Sequence, residues 1–119
     1  MRNDNFDELF LICDLMMEIG ITMNYKGFKQ TAYAVYYSMC DLKRLEGVTK
    51  RLYPLVANTC NTTVIAVEKN IRTIVDTVWW NHKKEFEDVL KIKLNYKPSN
   101  AQFIAILTMC MFRLLKKRR

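Results

Sequence analysis

Apolar residues recur along this chain at intervals of three and four and nowhere alternate convincingly at period two, so the sequence predicts helices throughout. Phe6, Leu9, Phe10, Cys13, Met16 and Met17 mark a first helix over Phe6–Ile19 with that face turned inward. Asn5 with Glu8 three residues on predicts a capping pair, and Gly20 a stop. Ile21–Lys26 reads as a connector and Gly27 as a turn. A second helix over Phe28–Leu42 is expected to bury Ala32, Val35, Tyr36 and Met39, with Tyr33, Tyr36 and Tyr37 as packing groups rather than base-stacking platforms. After Gly47, Val48–Asn58 reads as a third element broken at Pro54. Proline lacks the N–H that a helix interior needs but suits a first turn. The helix proper should therefore start near Pro54 and turn Val56, Ala57 and Cys60 inward.

The fourth helix is expected to open at Thr62 or Thr63, both good N-caps. Its Val67, Ile71, Ile74 and Val78 fall at i, i+4, i+7 and i+11, a buried stripe that Trp79 and Trp80 close. A short helix over Lys83–Leu90 follows, with Phe86, Val89 and Leu90 on its apolar side. Ser99 with Gln102 predicts a capping box for the last helix, packed down by Phe103, Ile104, Ile106, Leu107, Cys110, Met111 and Leu114. The fold class is therefore all-α, about six helices around one core. No linker or repeat divides residues 1–119 into more than one domain.

Composition agrees: half of the 119 residues are apolar, with three Gly and two Pro to interrupt them, which suits a helical core and not disorder. No apolar run approaches the ~20 residues of a bilayer span, and the N-terminus lacks the pattern of a secretion signal. Cys13, Cys40, Cys60 and Cys110 lie far apart, without a C-x-x-C pair. With a single histidine, that argues against a metal site and for reduced, buried thiols in a cytoplasm. The net charge of +7 is unevenly spread: Asp4, Asp7, Glu8, Asp14 and Glu18 oppose Arg2 alone at the start, whereas Arg113, Lys116, Lys117, Arg118 and Arg119 crowd the end. Such a surplus favours polyanionic partners without choosing among them.

The choice comes from the fourth helix. With Val67 at the centre of its buried side, Ile65, Lys69, Arg72, Thr73 and Asp76 cluster opposite at ~100° per residue, Glu68 at the flank. Arginine and lysine match the acceptor edge of guanine, a carboxylate can accept from the cytosine amino group, and an exposed isoleucine can meet a thymine methyl. Ala57 and Asn61 support a tight turn before this helix, alanine for close crossing and asparagine for a left-handed residue. Together they predict a helix-turn-helix over about 54–80, whose second helix lies in a major groove. Asn70 fits this pattern poorly, standing where an apolar residue is usual.

The same residues carry a resemblance. Glu18-Ile19-Gly20-Ile21, Lys26-Gly27, Val48-Thr49-Lys50, Leu52-Tyr53-Pro54, Ala57, Asn61-Thr62-Thr63, Val67-Glu68, Ile71-Arg72, Trp79, Lys97-Pro98-Ser99-Asn100 and Phe103-Ile104-Ala105 run in order over about residues 15–107. In these blocks the chain resembles the C-terminal DNA-binding effector domains of the stage-zero sporulation response regulators of endospore-forming Firmicutes. The resemblance implies a six-helix domain that binds double-stranded DNA at a box similar to TGTCGAA, often in tandem head-to-tail copies that would carry a homodimer. It also implies base-reading positions at Glu68, Lys69 and Arg72, beside Ile65, with phosphate contacts nearby, expected at Thr62, Thr63, Thr73, Lys50 and Lys97. RNA polymerase is a candidate protein partner; no cofactor, metal or membrane partner is expected, and the setting is a bacterial cytoplasm and its nucleoid. Lys69 stands where the family favours arginine and lacks its two-pronged fork. Ala66 and Thr73 stand where a family member carries arginine and histidine, and Ile65 replaces a small polar residue, which together point to an altered or relaxed box. Family members usually carry a receiver domain, for which these residues leave no room. The expectation is a stand-alone or excised effector, with no phosphorylation switch at Asp4, Asp7 or any other carboxylate.

Other classes find less support. His82, beside Lys83 and Lys84, reads as solvated rather than catalytic, and Glu85, Glu87 and Asp88 as a solvent-facing acidic cluster; no phosphate loop or nucleophile motif points to an enzyme. A helical protein-interaction module, docking a partner on the acidic, Met-rich first helix, is the alternative to DNA binding. Membrane-surface binding by the Arg113–Arg119 run is the weakest reading.

Overall fold

Seven α-helices and one 3₁₀ turn make up residues 4–117, the part described by this computed structural model, whose side chains are described from Asp7 onward. The helices are α1 (Asp4–Ile19), α2 (Gly27–Cys40), α3 (Val48–Arg51), α4 (Tyr53–Thr59), α5 (Val64–Asn81), α6 (Lys83–Leu90) and α7 (Asn100–Lys117), with the 3₁₀ turn at Leu42–Glu46. No strand occurs among the described residues. The all-α expectation holds; α3 is a single turn, which leaves six helices of substance. At the centre lies α2, packed against α1, α4, α5 and α7. One continuous core joins Ile12, Met16 and Ile19 of α1 to Val35, Tyr53, Val56, Ile71, Ile74, Phe86, Phe103 and Leu107. The Phe86 and Phe103 rings stack within it, centroids 5.4 Å apart and planes 16° off parallel.

The first helix keeps Met16 inward as its pattern predicted but is rotated away from the rest of the predicted face. Ile12, Leu15, Met16 and Ile19 are buried, whereas Phe10 and Met17 are 57% and 42% exposed and Leu9 and Cys13 half-buried. Apolar residues cover so wide an arc of α1 that two stripes fit a helical period. The stripe that wins spares Ile12, Leu15 and Ile19 from water and leads past Gly20 into buried Ile21. Asn5 lies within the helix, so it is not the cap; its side chain and that of Phe6 fall outside the described residues.

Other boundaries moved for local reasons. α2 stops at Cys40 instead of Leu42 because Asp41 is extended and its carboxylate accepts a hydrogen bond from the Lys43 N–H at 3.0 Å, opening the 3₁₀ turn. Tyr36 and Met39, expected inside, are half-buried. The break before α4 falls at Leu52, and Pro54 occupies the first turn as expected. Trp80 does not close the α5 stripe but stands 74% exposed, and Leu114 of α7 is 39% exposed. By contrast α6 has the expected bounds, and Ser99 and Gln102 form the expected reciprocal box: Gln102 N–H donates to Ser99 Oγ at 3.1 Å and Ser99 N–H to Gln102 Oε1 at 2.9 Å.

Gly27 is not a turn. It opens α2 directly against α5, where a Cβ would lie 2.4 Å from the Asn70 carbonyl oxygen. Beside it the Asn70 amide donates to Gln30 Oε1 at 3.2 Å, which gives that out-of-pattern asparagine a polar partner on α2.

Candidate nucleic-acid interface

Between α4 and α5 the chain reverses in a tight turn closed by backbone hydrogen bonds. The Thr62 N–H reaches back to the Ala57 carbonyl at 2.9 Å and the Asn61 N–H to that of Asn58 at 3.3 Å, while Asn61 adopts φ +54. This is the Schellman arrangement, with asparagine in the left-handed position that glycine more often fills. The expectation for Asn61 holds. Thr63 then turns extended, and its Oγ1 accepts from the Ala66 N–H at 3.1 Å, capping α5. Thr63→Ala is expected to cost about 1 kcal/mol of stability, read as a lowered urea midpoint at unchanged slope.

The buried side of α5 holds Val67, Ile71, Ile74, Val75 and Val78, one residue more than the predicted stripe. That anchorage fixes what faces outward. Ile65 is 81% exposed, Lys69, Arg72 and Thr73 are exposed, and Glu68 is half-buried at the flank. The Arg72 guanidinium pairs with the Glu68 carboxylate one turn back. Thr73 Oγ1 donates to the Lys69 carbonyl at 3.1 Å, so its hydroxyl proton is taken by its own helix. Thr63 differs: its oxygen accepts, leaving its O–H to donate outward. Thr62 is half-buried and Lys50 exposed on α3.

A shallow groove runs along the Arg72 side of α5, lined by Thr49 of α3, Glu68, Arg72 and Asp76 of α5, and Lys97 and Asn100 before and at the start of α7. Here Lys97 Nζ pairs with Asp76 at 2.6 Å, both side chains partly exposed. Asn100 ties the groove together: its amide donates to the Glu68 carbonyl at 3.0 Å and meets the Tyr53 hydroxyl at 3.3 Å. Burial pushes the Tyr53 hydroxyl's pKa up, and the Asn100 hydrogen bond opposes that rise. Asp76 as the partner of Lys97, and Asn100 as the strut behind Glu68, were not assigned from sequence. The only signal for Asn100 was its place in the Lys97–Asn100 block.

Elsewhere the polar groups do structural work. His82 is half-buried between α5 and α6, packed so close that a Cβ on Gly20 would meet its ring at 2.5 Å, which corrects the expectation of a solvated side chain. Glu87 is half-buried too and does not simply face water. Its carboxylate accepts from the Leu94 N–H at 2.8 Å and sits 3.5 Å from Lys83 Nζ, and that backbone hydrogen bond holds it below the usual carboxylate range. All four cysteines are free, but only Cys110 is buried, and Cys40 is exposed at the end of α2. In the basic tail Arg113 donates to the Leu90 carbonyl at 2.7 Å, and Lys116 and Lys117 are exposed; Arg118 and Arg119 lie outside the described residues. No helix among the described residues is long and apolar enough to cross a membrane.

Compared with known protein families, the chain matches the family model of the sporulation initiation factor Spo0A C terminal over residues 12–111, a stretch that includes α2 to α6 whole, the second half of α1 and most of α7.

Proposed function

The chain belongs to the family of the sporulation initiation factor Spo0A C terminal, DNA-binding transcription-regulator domains and not enzymes, and on that footing we propose that α4 and α5 act as its helix-turn-helix. The observation that carries this reading is one helix with two opposite duties: Val67, Ile71, Ile74 and Val78 are sealed in the core while Lys69 and Arg72 project into solvent. A duplex major groove admits such a helix. Arg72 donates to guanine O6 and N7, Lys69 adds a single-pronged donor, Glu68 accepts from a cytosine amino group, and Ile65 meets a thymine methyl. The Thr62, Thr63 and Thr73 region, Lys50 and Lys97 lie against phosphates, Lys97 exchanging its Asp76 carboxylate for one of them. The box is akin to TGTCGAA, relaxed where Lys69, Ala66, Thr73 and Ile65 depart from the family. Tandem copies carry a homodimer, RNA polymerase is the protein partner, and the domain works on the nucleoid as a single effector unit.

Arg72→Ala is expected to lower affinity for the preferred duplex by about 1–3 kcal/mol, roughly 5- to 150-fold, and to relax preference at the base it reads. Sites selected from random duplexes supply the target. Unchanged affinity of the variant for every duplex tested would remove α5 from the role. The protein-interaction reading draws on exposed Met17 of α1. Salt separates the two, since duplex affinity falls with a log–log slope of ~0.9 per phosphate neutralised.

A further inference from the structure

A helix seated in the major groove has a phosphate ridge on each side, the groove being ~12 Å wide. On the Arg72 side of α5 stand α3 and the Lys97 loop. The opposite side is closed by the first turn of α2. Gly27 and Gln30, one turn apart, touch Asn70, and the contact is so close that it fixes where the neighbouring residues stand. Those neighbours are Lys26 and Lys29, also one turn apart and both exposed. Lys29 lies beside the turn into α5: burial raises the Cys60 thiol's pKa and the nearby Lys29 ammonium pulls it back. Neither lysine forms an ion pair among the described residues, whereas Lys97 and Arg72 are each engaged by a carboxylate of α5.

We propose that Lys26 and Lys29 grip the phosphate ridge on the α2 side of α5, so that the duplex is held along both edges of the recognition helix. This rests on the DNA-binding reading above. An exposed lysine is often only a solubilising charge, but these two stand three residues apart at the start of α2, on the flank of α5 that α2 closes, and neither ammonium group is held by a carboxylate among the described residues. Phosphate contacts carry no sequence information, so the pair sets register and tilt on the duplex and not the choice of box.

The test compares the full chain with the Lys26→Gln/Lys29→Gln double variant on a selected duplex and on a scrambled one, across a salt series. The expected result is a log–log salt slope shallower by roughly 0.9 per lysine. Affinity should fall by the same factor on both duplexes, with the ratio between them and the urea midpoint unchanged. Lys84→Gln, which removes one exposed positive charge on α6, should leave the slope where it was. A double variant with the wild-type slope overturns the inference alone, as does a loss confined to the selected duplex. A wild-type chain without salt-dependent binding to any duplex overturns the DNA-binding reading first and the inference with it.

Discussion

Gly27→Ala is expected to destabilise the fold by about 3 kcal/mol, at the upper end of what overpacking a well-filled core costs. Helix propensity alone predicts the opposite sign, because alanine inside a helix is favoured over glycine by roughly 0.5–1 kcal/mol. Geometry decides against propensity. The added Cβ would lie 2.4 Å from the Asn70 carbonyl oxygen, 2.9 Å from its carbon and 2.7 Å from Ile74 Cγ1. Two of these three atoms are backbone of α5, which cannot swing aside as a flexible side chain would. The two helices must separate, and the Asn70–Gln30 hydrogen bond goes with them. Ile74→Ala should not rescue the variant, since it relieves only the side-chain contact. The urea midpoint measures the loss; a midpoint above wild type would show that α2 and α5 are not in contact at this depth.

Phe103→Ala is expected to cost about 4 kcal/mol, a large part of the 5–15 kcal/mol that separates a typical folded domain from its unfolded chain. Phe103 and Phe86 are both wholly buried and stacked on each other, so truncating one removes its own burial and leaves the other facing a void. The neighbours cannot fill that void cheaply, because they come from α6 and α7, pinned at Lys91 by a left-handed cap and at Ser99 by the capping box. Trp80→Ala removes a larger ring from a 74% exposed position and should shift stability by no more than ~0.5 kcal/mol. Thermal or urea unfolding of the two variants side by side checks both numbers. Equal losses would mean that Trp80 is covered in solution, while a loss below ~1 kcal/mol at Phe103 would mean the core repacks around the gap.

What could be read from the sequence was what neighbouring residues decide among themselves. The start of α5 at Thr63, the left-handed Asn61, the Ser99–Gln102 box and the span of α6 each depend on residues within one or two turns, and all appear as expected. The buried stripe of α5 was legible because its apolar positions admit a single face. α1 admits two, so its orientation depends on what the rest of the molecule offers, and Phe10 and Met17, expected inside, are exposed. Gly27 looked like a turn because glycine's missing side chain gives no hint whether a bend or a neighbouring helix needs the space. Asp76 with Lys97 and Asn100 with Glu68 lie 21 and 32 residues apart, separations over which no periodicity carries information. The outward cations Lys69 and Arg72 were legible as the complement of the buried stripe, whereas the flanking lysines of α2 came into view only once Gly27 was seen against Asn70.

The Glu68–Arg72 pair has one more effect. As an exposed pair on adjacent turns it adds only a few tenths of a kcal/mol to the helix, a bias of about twofold toward one posture of a long, many-jointed side chain. Freezing such a chain from full freedom costs up to ~2 kcal/mol, and part of that ordering is already done in the unbound molecule. On the DNA-binding reading proposed above, matched and mismatched sites would be told apart mostly by how long the complex lingers on each, since differences among related complexes sit mostly in the off-rate.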